Sequence, residues 1–540
     1  MRPFLTLHEP ATARSHYEKG LWTEDTFYSL FAQNQAAEPD GLALRDGRQA
    51  LSWSEVRQRV DALADDLRST GLTAGDRVSI WMSNRAEAVI AFLACSREGF
   101  ACNPSLHRTY TGREIIELLR TLDAAALVTE SGWSSDEAGR DYEAMKAELP
   151  SLKKVYQPED FPAAQGTSDR PHHGNPDTVA YLAFTSGTTG APKCVMHSSN
   201  TLLANGRDMV RDWSVSKDTV LLTLSPLSHH IAWVAVSQWL ISGCVLVTDD
   251  APAGTSRLDW IVKTGATYVM GVPTHAMDIL GEMRTRGIAR LGEVKIFYMA
   301  GAPIPSVVAE DFVKIGVTPQ NIYGMTENSS HQYTHPSDPV DVWTSTCGRG
   351  GRAYEVAIFD VEDADRRLGP GESGQIGGRG AALMLGYYGN QPATMGSFNK
   401  SGWFLSGDLG SLDEDGNLRI DGRIKDLIIR GGHNIYPSRI EALAVTHEGI
   451  AKAAAFPVPD DRLGEKVCLA IIGDLDADAV LDHLAEAGLS KYDMPEWYLP
   501  VPALPLTASG KILKRELAEM VKRGELQPVP VRYNAAKAAS

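Results

Sequence analysis

Residues 181–193 read Tyr-Leu-Ala-Phe-Thr-Ser-Gly-Thr-Thr-Gly-Ala-Pro-Lys. Tyr181 to Phe184 form an apolar run that reads as a buried strand, and it feeds a loop of hydroxyls and glycines closed by Lys193. Glycine lets backbone approach an anion closely, hydroxyl and N–H groups donate to phosphate oxygens, and the lysine supplies positive charge. A Walker A loop is excluded: that pattern ends in Gly-Lys-Ser/Thr, whereas here Pro192 precedes Lys193 and Cys194 follows it. In isolation, six such loop residues read as a Ser/Thr-rich surface turn. The strand, two glycines, four hydroxyls and the lysine together point instead to a polyphosphate loop.

On either side of this stretch, apolar strands alternate with helical segments. Ser52 and Glu55 have capping-box spacing, Val56, Val60, Leu63 and Leu67 share one helix face, and Gly71 stops it. Arg77–Trp81 then reads as a strand and Arg85–Arg97 as an amphipathic helix. Further strands are expected at 124–129, 219–224, 245–248, 268–271 and 295–300, which indicates an α/β architecture with largely parallel sheets. After about Thr344 glycines crowd 348–351 and 369–380, and short alternating pieces at 356–359 and 418–421 suggest antiparallel strands or a small barrel. Beyond Lys425 the pattern is compact α+β, with helices near 438–447 and 477–487 and strands at 453–457 and 467–472.

At 540 residues and roughly 150 residues per domain, the chain holds two to four domains. A net charge of −16 argues against a nucleic-acid groove as the main surface, yet leaves room for a local basic pocket taking an anion. The six cysteines form no C-x-x-C pair, so reduced thiols are expected and a zinc site is not. The first ten residues lack an apolar signal core, and the apolar stretch 234–247 is broken by Ser237, Gln238, Ser242 and Gly243. The expectation is a cytoplasmic protein with no membrane span.

Four further segments carry chemistry. Residues 322–327 read Ile-Tyr-Gly-Met-Thr-Glu, with an aromatic that could stack on a base and a carboxylate suited to Mg²⁺. Residues 402–408 read Gly-Trp-Phe-Leu-Ser-Gly-Asp, setting Asp408 after a glycine turn. Residues 422–437 include Arg423, Lys425 and the pair Gly431-Gly432, and residues 506–514 place Lys511 on a turn before a helix. Taken singly, Glu327 could cap a helix, Asp408 could be a β-turn aspartate, Lys511 a solvated lysine, and the glycine pair a hairpin turn.

In this order and spacing the segments resemble the adenylate-forming superfamily, in its acyl-CoA synthetase branch, over about residues 22–517. The resemblance implies an α/β fold: a large N-terminal domain (1–424) of two αβ sheet subdomains plus a distorted β-barrel, and a small mobile α+β C-terminal domain (425–540). It implies a two-step reaction using ATP, Mg²⁺ and CoA, in which a carboxylate forms acyl-AMP and a thiol then displaces AMP. Thr185, Ser186, Gly187, Thr188, Thr189 and Lys193 match the phosphate loop, Gly301, Ala302 and Pro303 the adenine-side loop, and Tyr323 the residue along the base. Thr326 matches the α-phosphate contact, Glu327 the metal ligand, Asp408 the ribose-binding aspartate and Arg423 a nucleotide contact. Lys425 matches the hinge, Gly431 and Gly432 the CoA tunnel, and Lys511 the catalytic lysine.

His229, in Ser-Pro-Leu-Ser-His-His at 225–230, matches a gate between acyl and thiol channels; a structural histidine and a metal ligand are the alternatives. A metal is disfavoured, because consecutive side chains on a strand point to opposite faces and no third ligand of matching context is visible. Trp233, Val236, Gly271, Met299, Gly324, Met325 and His331 match the acyl pocket, an apolar lining that suits a compact apolar acid. Such an acid could be cyclohexanecarboxylate-like, aromatic, or a short-to-medium-chain fatty acid. The stretch 227–231 carries no carboxylate to anchor an amino group, which disfavours an amino acid substrate. The alternatives are an acyl-AMP ligase loading a carrier protein and a non-catalytic relative that binds nucleotide or acyl-CoA. A monomer or homodimer, with no nucleic-acid partner, is expected.

Overall fold

The computed structural model describes residues 3–136, 142–164, 166–185, 192–302, 304–506 and 512–533. Two largely parallel sheets with helices form the bulk of the molecule. In the first, the spatial order of strands is Lys154–Tyr156, Ala126–Thr129, Arg77–Trp81, Ala101–Asn103, Val179–Thr185 and Lys193–Ser198, only the last being antiparallel to its neighbour. In the second the order is Ser329–Tyr333, Thr318–Met325, Ile296–Met299, Tyr268–Gly271, Val220–Thr223, Val245–Thr248, Leu42–Arg45 and Ala50–Ser52. Strands such as Arg77–Trp81 and Tyr268–Gly271 are buried along their whole length, which explains their largely apolar composition, although Arg77 and Ser79 are polar exceptions in the first.

The helix Trp53–Ser69 starts at the expected capping box, with the Ser52 side chain accepting from the Glu55 N–H. Its Val56, Val60, Leu63 and Leu67 are fully buried against the fully buried helix face of Ala86–Glu98. The apolar stretch 234–247 is the end of the helix His230–Ser242, a left-handed Gly243 and the strand Val245–Thr248. Among the described residues no helix is long and apolar enough to cross a membrane.

The glycine-crowded region is a four-stranded antiparallel sheet, Tyr354–Phe359, Gly374–Gly380, Phe404–Leu412 and Leu418–Arg423. Its two outer strands do not pair among the described residues, so the expected distorted barrel is an open sheet here. The small C-terminal domain has its own mixed sheet, in which Ile450–Asp460 and Gly464–Gly473 pair over ten positions. Its core gathers Ile428, Ile440, Leu469, Ile471 and Leu484.

An N-terminal arm reaches far along the chain. The Leu7 N–H donates to the Leu385 carbonyl at 2.9 Å, and the Trp22 indole donates to the Ala381 carbonyl at 2.9 Å.

Candidate active site

The candidate loops leave the carboxyl ends of strands, where open α/β sheets bind ligands. Thr185 closes Val179–Thr185, Gly301 follows Ile296–Met299, and Thr326 follows Thr318–Met325. Thr185 and Lys193 face each other across the antiparallel pair, with the Thr185 hydroxyl donating to the Lys193 carbonyl at 3.3 Å. The residues flanking the candidate phosphate loop, Thr185 and Lys193, are therefore paired. Ser186, Gly187, Thr188 and Thr189 lie outside the described residues, as do Pro303 and Lys511.

The strand Lys193–Ser198 is flanked on its other side by residues 384–388. Leu385 N–H donates to the Met196 carbonyl, Met196 N–H to that of Gly386, and Tyr388 N–H to that of Cys194, all at 2.7–2.9 Å. This delivers Tyr387 to the loop's exit. Its ring lies 4.6 Å from the Lys193 ammonium, and its hydroxyl donates to Glu327 Oε1 at 2.9 Å.

Thr326 and Glu327 sit in the turn between Thr318–Met325 and Ser329–Tyr333. The turn is tight: a Cβ at Gly324 would lie 1.8 Å from the Ser329 carbonyl oxygen, so only glycine fits there. Asn328 accepts from the Met325 N–H at 3.0 Å and donates to the Tyr354 hydroxyl at 3.2 Å. The Glu327 carbonyl accepts from Met384 N–H, and the Thr326 carbonyl from His197 Nε2, each at 2.7 Å. Burial raises the pKa of the Glu327 carboxyl, and the Tyr387 hydroxyl and the Lys193 charge oppose that rise. A half-buried carboxylate short of positive charge suits a hard divalent cation.

Next to it, Tyr323 donates to Asp408 Oδ2 at 2.9 Å, and Arg423 Nε donates to Asp408 Oδ1 at 3.2 Å across paired strands. Both oxygens of Asp408 are engaged, although a carboxylate has room for further donors. Gly301 adopts φ +87°, and a Cβ there would meet Ile231 and Val272 at 3.6–3.7 Å, with Ala302 following.

His229 and His230 do not lie on a strand. His229 is the residue preceding the helix His230–Ser242, and this corrects the reason for setting metal binding aside. The imidazoles diverge all the same. His229 stacks on His107 with centroids 4.4 Å apart, and His107 Nδ1 pairs with the Ser228 hydroxyl at 2.9 Å. His230 pairs with the Ser329 hydroxyl at 3.0 Å and the Tyr181 hydroxyl at 3.3 Å. Among the described residues no group of three or more His, Cys, Asp or Glu side chains could hold a metal ion.

The acyl-pocket candidates distribute over three packing clusters. Trp233 and Val236 are buried in one core, with the Trp233 ring 4.3 Å from Phe92 and its N–H on the Leu227 carbonyl. Met299 belongs to a second core with Phe297 and Phe312, and a Cβ on Gly271 would lie 3.1 Å from His275. Met325 packs on Val195 and Tyr387, and His331 is buried between Tyr354 and Tyr323.

In the C-terminal domain, Gly431 and Gly432, at φ +59° and +87°, make the two-residue turn of the hairpin Ile428–Arg430/His433–Ile435. The hairpin is held within its own domain: Gly431 N–H donates to the Leu463 carbonyl, Arg430 to Glu496, and His433 pairs with Asp493. Lys425 is exposed in the short 3₁₀ turn Ile424–Asp426. Leu506 and Ile512 form an isolated antiparallel bridge.

Residues 31–388 match the AMP-binding enzyme family, and residues 439–511 match the C-terminal domain of AMP-binding enzymes. The chain belongs to the AMP-binding enzyme family. It is 27% identical to the medium-chain fatty-acid–CoA ligase of Escherichia coli (strain K12), covering 98% of this chain and 96% of the relative. It is 28% identical to the 2,3-dihydroxybenzoate-AMP ligase of Bacillus subtilis (strain 168), over 94% and 96% of the two chains. The ATP-bound structure of MatB from Rhodopseudomonas palustris superposes with a TM-score of 0.82 at 26% identity, over 92% of this chain and 99% of that one.

This AMP-binding enzyme also holds groups at its site that motif reading passes over. Tyr387 and Tyr388 lie in the run Leu-Gly-Tyr-Tyr-Gly, where two polar-tipped aromatics among glycines are the available signal. His197 is the penultimate residue of the strand Lys193–Ser198, and a buried histidine in such a run signals a paired polar group.

Proposed function

We propose that this AMP-binding enzyme is an ATP-dependent acyl-CoA synthetase acting on a compact apolar carboxylic acid, either aromatic, cyclohexanecarboxylate-like, or a short-to-medium-chain fatty acid. The observation that carries the reading is the convergence of Lys193 and Glu327 on Tyr387, beside the Tyr323–Asp408–Arg423 group. A cation at the end of a polyphosphate loop, a half-buried hard carboxylate and a ribose-suited aspartate together are what binding a nucleoside triphosphate needs.

In this reading the acid's carboxylate oxygen attacks the ATP α-phosphorus, and the bond to the bridging oxygen breaks to release pyrophosphate. The thiol sulfur of CoA then attacks the acyl carbon and AMP leaves. Neither step needs a side-chain nucleophile, so positioning and charge carry the catalysis. Lys193 and the 185–189 loop hold the β- and γ-phosphates, Thr326 the α-phosphate, Tyr323 and the 301–303 loop the adenine, and Asp408 with Arg423 the ribose. Glu327 holds Mg²⁺, whose chemistry is to offset polyphosphate charge. Lys511 bridges the carboxylate and α-phosphate, His229 gates the thiol channel, and Gly431 and Gly432 line the CoA path. Trp233, Val236, Gly271, Met299, Gly324, Met325 and His331 surround the acyl group. The domain division falls at residues 424/425.

The experiment is a panel of aromatic, alicyclic and C4–C12 acids with ATP, Mg²⁺ and CoA, read by pyrophosphate release and by thioester mass. Acid-dependent pyrophosphate with CoA thioester supports the proposal. Acyl-AMP that persists in the presence of CoA favours a carrier-protein acceptor, the reading suggested by similarity to a 2,3-dihydroxybenzoate-AMP ligase. No pyrophosphate with any acid favours a non-catalytic nucleotide binder.

A further inference from the structure

Tyr387 stands where two opposite charges could cancel each other. Lys193 and Glu327 both lie against Tyr387, yet they form no ion pair with each other within 4.0 Å. Tyr387 meets both, its ring face 4.6 Å from the ammonium and its hydroxyl donating to the carboxylate at 2.9 Å. A phenol can offer a π face to a cation and a donor to an anion at once.

The ring is not free to drift. Tyr387 N–H donates to the Thr394 hydroxyl at 3.0 Å, and Tyr387 bridges Val195, two residues past Lys193. Gly386 before it adopts φ +106°, and a Cβ there would press on Thr394 at 3.1 Å, so the kink that aims the ring requires glycine. On the other side, Tyr388 is tied to the buried Arg77 at 2.6 Å. The strip from 384 to 388 thus spans the loop strand and the Glu327 turn, with the Met384 N–H on the Glu327 carbonyl.

We propose that Tyr387 is a positioning residue that keeps Lys193 and Glu327 from pairing with each other, leaving the lysine for the phosphates and the carboxylate for the metal. Two separate contacts imply two separable losses. Tyr387→Phe keeps the ring under Lys193 and removes only the donor to Glu327. Tyr387→Leu removes both.

This inference rests on the nucleotide-binding reading above, and calorimetric titration of ATP with and without Mg²⁺ tests the two apart. In the full-length wild type, ATP binds and Mg²⁺ tightens it. For Tyr387→Phe the expected result is unchanged metal-free affinity and a gain from Mg²⁺ reduced about tenfold, the low end for a lost hydrogen bond to a charged group. For Tyr387→Leu both the metal-free affinity and the Mg²⁺ gain fall. Melting curves accompany each variant, and Tyr387→Phe, which conserves the packing, carries the test if Tyr387→Leu does not fold. A Tyr387→Phe protein with wild-type affinity in both conditions overturns the inference while leaving the function intact. A wild type that binds no ATP in either condition overturns the function first, and the inference with it.

Discussion

At the scale of single residues, charge in low dielectric governs what the site can do. Glu327 is half-buried, desolvation raises the pKa of its carboxyl, and one oxygen already accepts from Tyr387. Glu327→Gln removes the negative charge while preserving shape, so under the proposed role ATP-dependent pyrophosphate release should fall and recover partly at high Mg²⁺. A magnesium titration with a melting curve checks this: lost stability with ordinary Mg²⁺ dependence would assign Glu327 to the turn alone. Lys193, Glu327 and Asp408 were legible in the sequence because each sits in a short motif whose chemistry is local. Tyr387 and His197 were not. Their partners lie 60 and 129 residues away in the chain, and nothing in their own neighbourhoods names those partners.

At the scale of elements, buried parallel strands wrote themselves into the sequence as short apolar runs, and the strands at 77–81, 245–248 and 268–271 fall where those runs do. The histidine pair shows where this fails. Residues 225–230 follow a strand and precede a helix, and two adjacent residues carry no period by which to tell the two apart. The barrel texture fails for a related reason, since alternation fixes which strands are antiparallel but not whether the outer ones meet. The glycine hairpin makes a prediction of its own. Gly432 sits at φ +87° with open space around its Cβ position, so Gly432→Ala suffers backbone strain alone, about 1–2 kcal/mol. Local unfolding of the hairpin, read by hydrogen exchange at 428–435, should increase while the N-terminal domain is unchanged. If the CoA assignment holds, thioester formation from supplied acyl-AMP slows and pyrophosphate release does not.

At the scale of the whole molecule, acid should unfold the protein through its histidines. Burial holds His107, His275 and His331 down to about 3 and His197 to about 4, so the folded state keeps them neutral. Unfolded, each titrates near 6.5, so below that pH the unfolded chain binds more protons and stability falls as pH falls. Their contribution is complete above about pH 6.5 and is lost down to pH 3–4, with a slope of at most about 1.4 kcal/mol per pH unit for each histidine. Raised carboxyls such as Asp249 and Glu441 oppose this lower in the range. Melting temperature should therefore drop between pH 7 and pH 5, and a flat profile would mean these rings reach solvent. The hinge is the other property of the whole. Under the proposed two-step reaction one site serves both half-reactions and would exchange the segment carrying Lys511 for the 430–436 hairpin, with backbone freedom at an element end absorbing the rotation. Lys425 lies in a 3₁₀ turn between the antiparallel sheet and the C-terminal domain, and 3₁₀ φ values of about −50 to −70° are close to the angle that proline fixes. Lys425→Pro should thus hold the arrangement described here and impede the other. Single-turnover pyrophosphate release and acyl-CoA yield from supplied acyl-AMP should then diverge by about tenfold or more, the scale of a 1.4 kcal/mol barrier, the slower being the half-reaction that needs the other arrangement. Equal effects on both half-reactions in a folded variant would move the hinge away from residue 425.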